Sequence, residues 1–271
     1  MRFSTKRSLI LKLALLLAFV CCFNTSSYAQ TTDTEENDSI SNNDITRQLW
    51  VHFSPSWKIN DRVRLNADLS YRTISPNDWT RLTSRAEISY SLNDIELNNF
   101  NFSHSLIQGV GYFYIHNYDI DDVFEYRIYQ GYKIGFNVTS RVNIQQYLRL
   151  EERFTNLFRK DTRSFGLRFR YKISAVLDLQ SLFTSKHRGF YVPADIEFFL
   201  NIKSSKQIND IIRVSPGLGY VIDPSFKVQF NLSYHYTKQE FDDSIKTNDI
   251  VFRIKVYKTF PFRKVKSPNE L

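Results

Sequence analysis

Apolar and polar residues alternate with period two over most of this chain, from about residue 48 to residue 262. Leu65, Ala67, Leu69 and Tyr71 fall on one face of a strand, with Arg64, Asn66, Asp68, Ser70 and Arg72 on the other. Val142, Ile144, Leu148 and Leu150 oppose Arg141, Asn143, Gln145, Tyr147, Arg149, Glu151 and, further on, Arg153. Phe165, Leu167, Phe169, Tyr171 and Ile173 oppose Gly166, Arg168, Arg170 and Lys172. The pattern repeats in Val228 to Tyr236 and in Ile250 to Val256. Side chains alternate across an extended strand, so each segment has one oily and one wet face. No long segment carries a helical period.

A short repeat punctuates the strands. An aromatic, a spacer, Ile or Leu and then a turn-forming residue recur as Trp57-Lys58-Ile59-Asn60, Tyr90-Ser91-Leu92-Asn93, Tyr132-Lys133-Ile134-Gly135, Tyr171-Lys172-Ile173-Ser174 and Tyr220-Val221-Ile222-Asp223. Each period holds a strand, a loop, a return strand and a tight turn, so the aromatics gather inside one rim of a sheet. Counting hairpins gives twelve strands, with ten as the alternative. The twelfth depends on dividing Leu177–Ile202 in two, at Leu177-Asp178-Leu179-Gln180-Ser181-Leu182-Phe183 and Ala194-Asp195-Ile196-Glu197-Phe198. Antiparallel closure calls for an even number.

Period two alone does not say which face meets water. The apolar faces here are numerous and aromatic-rich, and an eight-strand barrel is already just filled by its inward side chains. The opposite faces mix arginine with Gln, Asn, Ser and a few acids, which suits a wet lumen. Aromatics near a rim match the girdles of outer-membrane barrels. The expected fold is therefore all-β: a transmembrane antiparallel up-and-down β-barrel over residues 47–262. A soluble periplasmic lipocalin-like binding barrel is the competing reading.

The two ends fit export. Arg2, Lys6 and Arg7 precede an apolar stretch from Leu9 to Phe23, and Ser27-Tyr28-Ala29 offers a cleavage site, so residues 1–29 read as a signal peptide. The stretch is short for a spanning helix. Residues 30–46 are polar and acidic, a tail that cannot bury enough surface to fold alone, and 263–271 form a second short polar tail. Both cysteines, Cys21 and Cys22, leave with the signal, which excludes disulfides and thiolate chemistry from the mature chain. Cleavage also removes Arg2, Lys6, Arg7 and Lys12. The basic count falls from 36 to 32 against 28 acids, and the net charge falls from +8 to +4. Nucleic acid is accordingly not an expected partner.

The hairpins carry a resemblance. Trp50, Trp57-Lys58-Ile59-Asn60, the strand Tyr147-Leu148-Arg149-Leu150-Glu151-Glu152-Arg153-Phe154, the strand Leu167-Arg168-Phe169-Arg170-Tyr171 and the segment Glu197-Phe198-Phe199-Leu200-Asn201 together resemble the outer-membrane domain-of-unknown-function family numbered 2490, over about residues 47 to 260. Leu177 to Val192 is longer than in that family. The resemblance implies a Gram-negative outer-membrane location and supplies no reaction and no catalytic residue.

The candidate site is the wet face. Arg64, Arg72, Arg85, Glu87, Arg149, Glu151, Arg153, Arg168 and Arg170 are expected to line the lumen, with Arg62, Arg81 and Arg141 also facing inward and Asp68 as a neighbouring acid. They serve either as an ion-paired ladder that fills a narrow barrel or as a basic passage that attracts small anionic solutes. Other chemistry is poorly served. His104 and Ser105 are adjacent in Phe102-Ser103-His104-Ser105, so in a strand they face opposite ways and cannot act as base and nucleophile. Glu151 and Glu152 are likewise split. The five histidines show no metal spacing. The acidic runs Asp119-Ile120-Asp121-Asp122 and Glu240-Phe241-Asp242-Asp243 read as solvated loop tips rather than Ca²⁺ loops. The expectation is a porin-like, non-enzymatic barrel of the cell outer membrane, exported through the secretory pathway, either structural or a narrow pore, with no cofactor. Its partners would be outer-membrane lipid, lipopolysaccharide and the barrel-assembly machinery. An outer-membrane lipid-modifying enzyme is the further alternative.

Overall fold

Alternating sequence becomes alternating structure in a computed structural model of the chain, which describes residues 46–75, 79–97, 100–117, 122–157, 162–179, 188–203, 209–238 and 246–261. The signal segment, nearly all of the 30–46 tail, the 263–271 tail and the acidic run 240–243 lie outside these residues. Among them the chain forms twelve strands: β1 (Thr46–Lys58), β2 (Val63–Ser75), β3 (Trp79–Ser91), β4 (Ile95–Leu97), β5 (Phe100–Asn117), β6 (Val123–Asn137), β7 (Val142–Leu157), β8 (Thr162–Asp178), β9 (Gly189–Lys203), β10 (Asn209–Asp223), β11 (Phe226–Lys238) and β12 (Lys246–Phe260).

The expected twelve strands are present, but they are not all in the barrel wall. Eleven close the barrel, and the short β4 lies outside it, paired only to β5 through Ile95↔Phe102 and Leu97↔Phe100. Among the described residues of Leu177–Ile202, Leu177 and Asp178 belong to the end of β8 and Gly189–Ile202 to one strand, β9; most of the expected strand Leu177–Phe183 lies outside the described residues. β8 runs past Ser174, where the repeat had placed a turn, and ends at Asp178, because Ala175 and Leu177 continue its outward stripe and pair with Ala194 and Val192. Gly189, at φ 147°, then opens β9 in a backbone region that favours glycine.

An odd number of strands closes through one parallel pair. Consecutive strands pair antiparallel, as expected, and β3 pairs with β5. β1 and β12, however, run side by side in the same direction, from Thr46↔Asp249 to Trp57↔Phe260. The even-number expectation therefore does not hold, since a parallel seam satisfies the edges equally well. The seam is also pinned by side chains: Trp57 stacks on Phe260 with ring centroids 5.4 Å apart, and Ser56 donates to the Thr259 hydroxyl at 3.1 Å. As a result, β1 begins and β12 ends at opposite rims.

Tight turns mark the rim after β1, β6 and β10, the turn rim. Asn60 Oδ1 accepts from the amides of Arg62 (2.9 Å) and Val63 (2.7 Å), Thr139 Oγ1 from those of Arg141 and Val142, and Asp223 Oδ1 from the amide of Ser225. These side chains stand in for the missing strand partners of a reversing backbone. All five repeat aromatics (Trp57, Tyr90, Tyr132, Tyr171 and Tyr220) sit on outward-facing positions in the turn-rim halves of their strands.

The faces are inverted relative to a water-soluble barrel. Large apolar side chains stand exposed on the outside, including Leu69, Leu82, Leu200, Phe230 and Phe252, the last 54% accessible. The buried set is polar: Glu125 and Ser233 are fully buried, and Arg127, Glu151, Arg153 and Arg253 nearly so. A cluster of polar side chains interrupts the outer belt at mid-strand. Gln108 and Gln130 are direct cross-strand partners on the outside of β5 and β6, and Glu152 of β7 lies one row away, between Ile128 and Leu167.

Inward glycines set the fit of the wall. Tyr129 lies flat over Gly109, its partner across the β5–β6 pair, and Tyr191 over Gly219 across β9–β10. A Cβ at either glycine would meet the ring at 2.3 Å or 2.0 Å. Such aromatic cover restores packing that a bare glycine lacks and holds the rings against the wall.

Candidate functional site

The inward face encloses a cavity of about 1420 Å³ that is lined from Asn60 and Asp61 at the turn rim to Asn117 and Leu157 at the far rim. Twelve arginines and five lysines line it, against six carboxylates. Of the residues expected from sequence, Arg64, Arg72, Arg85 and Glu87 line it from β2 and β3, and Arg149, Arg153, Arg168 and Arg170 from β7 and β8. Glu151 lies on the same face of β7, 1% exposed beneath the arginines. Arg62 and Arg81 also line the cavity. Arg141 does not. It is exposed in the turn before β7, where its amide is tied to Thr139, so its expected inward position is corrected.

One wall is an ion-pair lattice. Glu151 accepts from Arg149 (2.7 Å), Arg168 (2.7 Å), Arg170 (2.7 Å) and, more distantly, Arg127 (3.4 Å). Glu125 accepts from both Nε and Nη2 of Arg153 at 2.9 Å and also pairs with Arg127. Glu197 bridges Arg170 and Arg213, the latter at 3.1 Å. Alternation causes this arrangement. Residues two apart share a face, so Glu125 and Arg127, or Glu151 and its two flanking arginines, converge from one strand, and the next strand supplies the rest. Each carboxylate is thus shared by several guanidinium groups, which is what makes such burial tolerable.

The opposite wall is different. Asp68 there takes Arg85 at 2.7 Å, Ser54 at 2.9 Å and His52 at 3.3 Å. Next to it, Trp50 serves as a platform for cations: Arg72 lies over its ring at 3.9 Å, Arg253 at 4.1 Å and Arg213 at 5.4 Å. Phe113 and Phe199 act similarly, the first under Arg127 at 3.9 Å and the second under Arg170 at 4.7 Å. Stacking on a ring quadrupole offsets part of a guanidinium's desolvation without neutralising its charge.

Several of these residues were not singled out from sequence. Glu125 and Arg127 carry a visible signal, two charges at i and i+2 in Val123-Phe124-Glu125-Tyr126-Arg127, but the aromatics between them mask it. Arg213 stands alone on its strand face, with no second charge close by to draw attention, and Arg253 has beside it Lys255, another cation, rather than a carboxylate. The inward placement of Trp50, Phe113 and Phe199 contradicts the simple rule that aromatics face out, and only the phase of their strands reveals it.

The remaining candidates are dispersed. Ser103 and Ser105 line the cavity, while His104 points outward, its Nε2 2.7 Å from the Asn93 carbonyl oxygen and its Nδ1 2.9 Å from the Tyr132 hydroxyl. Among the described residues no group of three or more His, Cys, Asp and Glu side chains could hold a metal ion. Asp122, the one described member of its acidic run, is engaged locally. Its carboxyl is held below the usual range by the Tyr114 hydroxyl at 2.7 Å, then by the Asn117 amide and His116.

A solved structure of the NanC porin, in a rhombohedral crystal form, is similar to this chain with a TM-score of 0.41 and 10% sequence identity, covering 78% of this chain and 99% of that one. No curated protein matches the chain. The family described as "Protein of unknown function (DUF2490)" matches residues 47–246, so the chain belongs to that family.

Proposed function

We propose that the protein is an outer-membrane barrel that acts without catalysis, as a narrow pore whose arginine-rich lumen admits small anionic solutes. The observation that carries this reading is the rim-to-rim cavity, in which cationic side chains outnumber carboxylates. A lumen of one charge sign with low-dielectric walls concentrates counter-charged solutes.

The inverted faces support the membrane setting. Soluble monomers rarely expose an apolar patch larger than about 300–600 Å², whereas here the apolar positions ring the wall. At about 3.3 Å per residue and a tilt near 40°, a 13-residue strand such as β2 rises about 33 Å, enough for the roughly 25 Å apolar band of such barrels. Closure leaves no strand edge unpaired in hydrocarbon. Outer-membrane lipid and lipopolysaccharide would then surround the belt, and the barrel-assembly machinery would insert it.

The test is single-channel recording of the purified mature barrel in a planar bilayer. Discrete steps whose reversal potential under a salt gradient favours the anion are expected. Cation preference overturns the basic-lumen reading. Silence favours the second reading, a closed scaffold, for which the ion-pair lattice around Glu151 is the specific observation. Release of the protein into the aqueous phase without detergent would overturn the membrane setting altogether.

A further inference from the structure

The two walls of the lumen differ in how their arginines are neutralised, and the difference localises a ligand. Around Glu125, Glu151 and Glu197, guanidinium groups meet carboxylates. Among the described residues Arg72 meets no carboxylate. Its guanidinium lies on the Trp50 ring at 3.9 Å, its Nε has no hydrogen-bond partner, and its direct partner across the β2–β3 pair is another cation, Arg81. One row away, toward the barrel centre, His52, Ser70 and Thr83 are consecutive cross-strand partners on β1, β2 and β3. They are 5%, 6% and 4% exposed, and His52 Nε2, Ser70 Oγ and Thr83 Oγ1 all lack a partner.

Buried polar groups are almost always paired, so three unpartnered donors in two adjacent rows (Arg72 Nε, Ser70 Oγ and Thr83 Oγ1), on a wall whose net charge is positive, suit an anion. We propose that the Arg72–Trp50 corner, with Ser70 and Thr83 beside it, binds a small oxyanion, the phosphate or carboxylate group of a solute. The two hydroxyls and the Arg72 Nε–H donate to oxygens of the anion. His52 is not one of the donors: its Nδ1 faces the Asp68 carboxylate at 3.3 Å, which leaves Nε2 as the acceptor nitrogen of the neutral ring. Donors in two neighbouring rows suit an ion with several oxygens better than a spherical halide. Trp50 fixes the plane of Arg72 and so presents its N–H edge to the ligand. This rests on the reading of the lumen as an anion path and gives that path a selective station.

Trp50 also supplies the readout. The chain has three tryptophans. With Trp57→Phe and Trp79→Phe, the Trp50 emission of the folded mature barrel in detergent is titrated with inorganic phosphate, with acetate and with chloride at matched ionic strength. A saturable change with phosphate or acetate, at least tenfold tighter than with chloride, is expected, and the tighter of the two identifies the ligand group. Arg72→Gln should abolish the response while raising the temperature of heat-induced gel-mobility change, because it removes an uncompensated cation. A merely structural arginine would lower it. Ser70→Ala with Thr83→Val should weaken binding severalfold with the fold retained. If the tryptophan background fails to fold, calorimetric titration of the parent and Arg72→Gln with phosphate and acetate reads the same comparison. A flat titration in a folded barrel, or an Arg72→Gln variant that binds like the parent, overturns the proposal. The optical titration needs no conduction. A silent bilayer with saturable binding sinks the pore and leaves the site, and anion-selective steps without binding sink the site and leave the pore.

Discussion

Glu151 is the residue on which the lattice wall depends. It lies 1% exposed and receives four guanidinium groups. Glu151→Gln keeps the volume but leaves four cations facing one another around a neutral amide. Breaking a buried pair in this way costs about 3–5 kcal/mol, so the variant should lose most of its heat-resistant compact form on gels, while Glu87→Gln, whose contacts are neutral and 3.4 Å long, should change little. Equal behaviour of the two variants would show that the lattice does not hold the wall. Much of this site is legible in the sequence wherever a strand shows several arginines in phase, as at Arg168 and Arg170. It is not legible where a lone arginine such as Arg213 takes its meaning from a strand distant in sequence, or where Trp50 turns inward to carry charge. Pairing across strands is a property of register, and register is not written in one strand.

At the scale of elements, ten of the eleven wall strands follow from period two and the turn residues Asn60, Thr139 and Asp223. The exception is the stretch around Ser174, a good turn former that sits inside β8 because its neighbours on both sides continue an outward stripe. The same outward stripe makes the amide pair Gln108 and Gln130 conspicuous. If lipid covers β5 and β6, two exposed amides at mid-strand each forgo about 0.5–2 kcal/mol. Gln108→Leu with Gln130→Leu should therefore raise the unfolding temperature of the barrel in lipid vesicles. If water covers that face instead, the double variant gains nothing and aggregates, so the sign of the change tests the setting of the sheet.

For the whole molecule, the parallel meeting of β1 and β12 has a consequence for where the chain leaves the wall. If the barrel spans the outer membrane as proposed, its eleven wall strands put Thr46 and Phe260 on different sides. The sequence has only Cys21 and Cys22, both within the expected signal segment, so a chain processed there would carry no other thiol, which makes this simple to check. A cysteine placed at Thr46 and another, in a separate variant, at Pro261 should react oppositely with a membrane-impermeant maleimide applied to intact cells. Labelling of both, or of neither, would mean an even number of crossings. In that setting, a barrel with one end on each side could tether something across the membrane without opening its lumen at all.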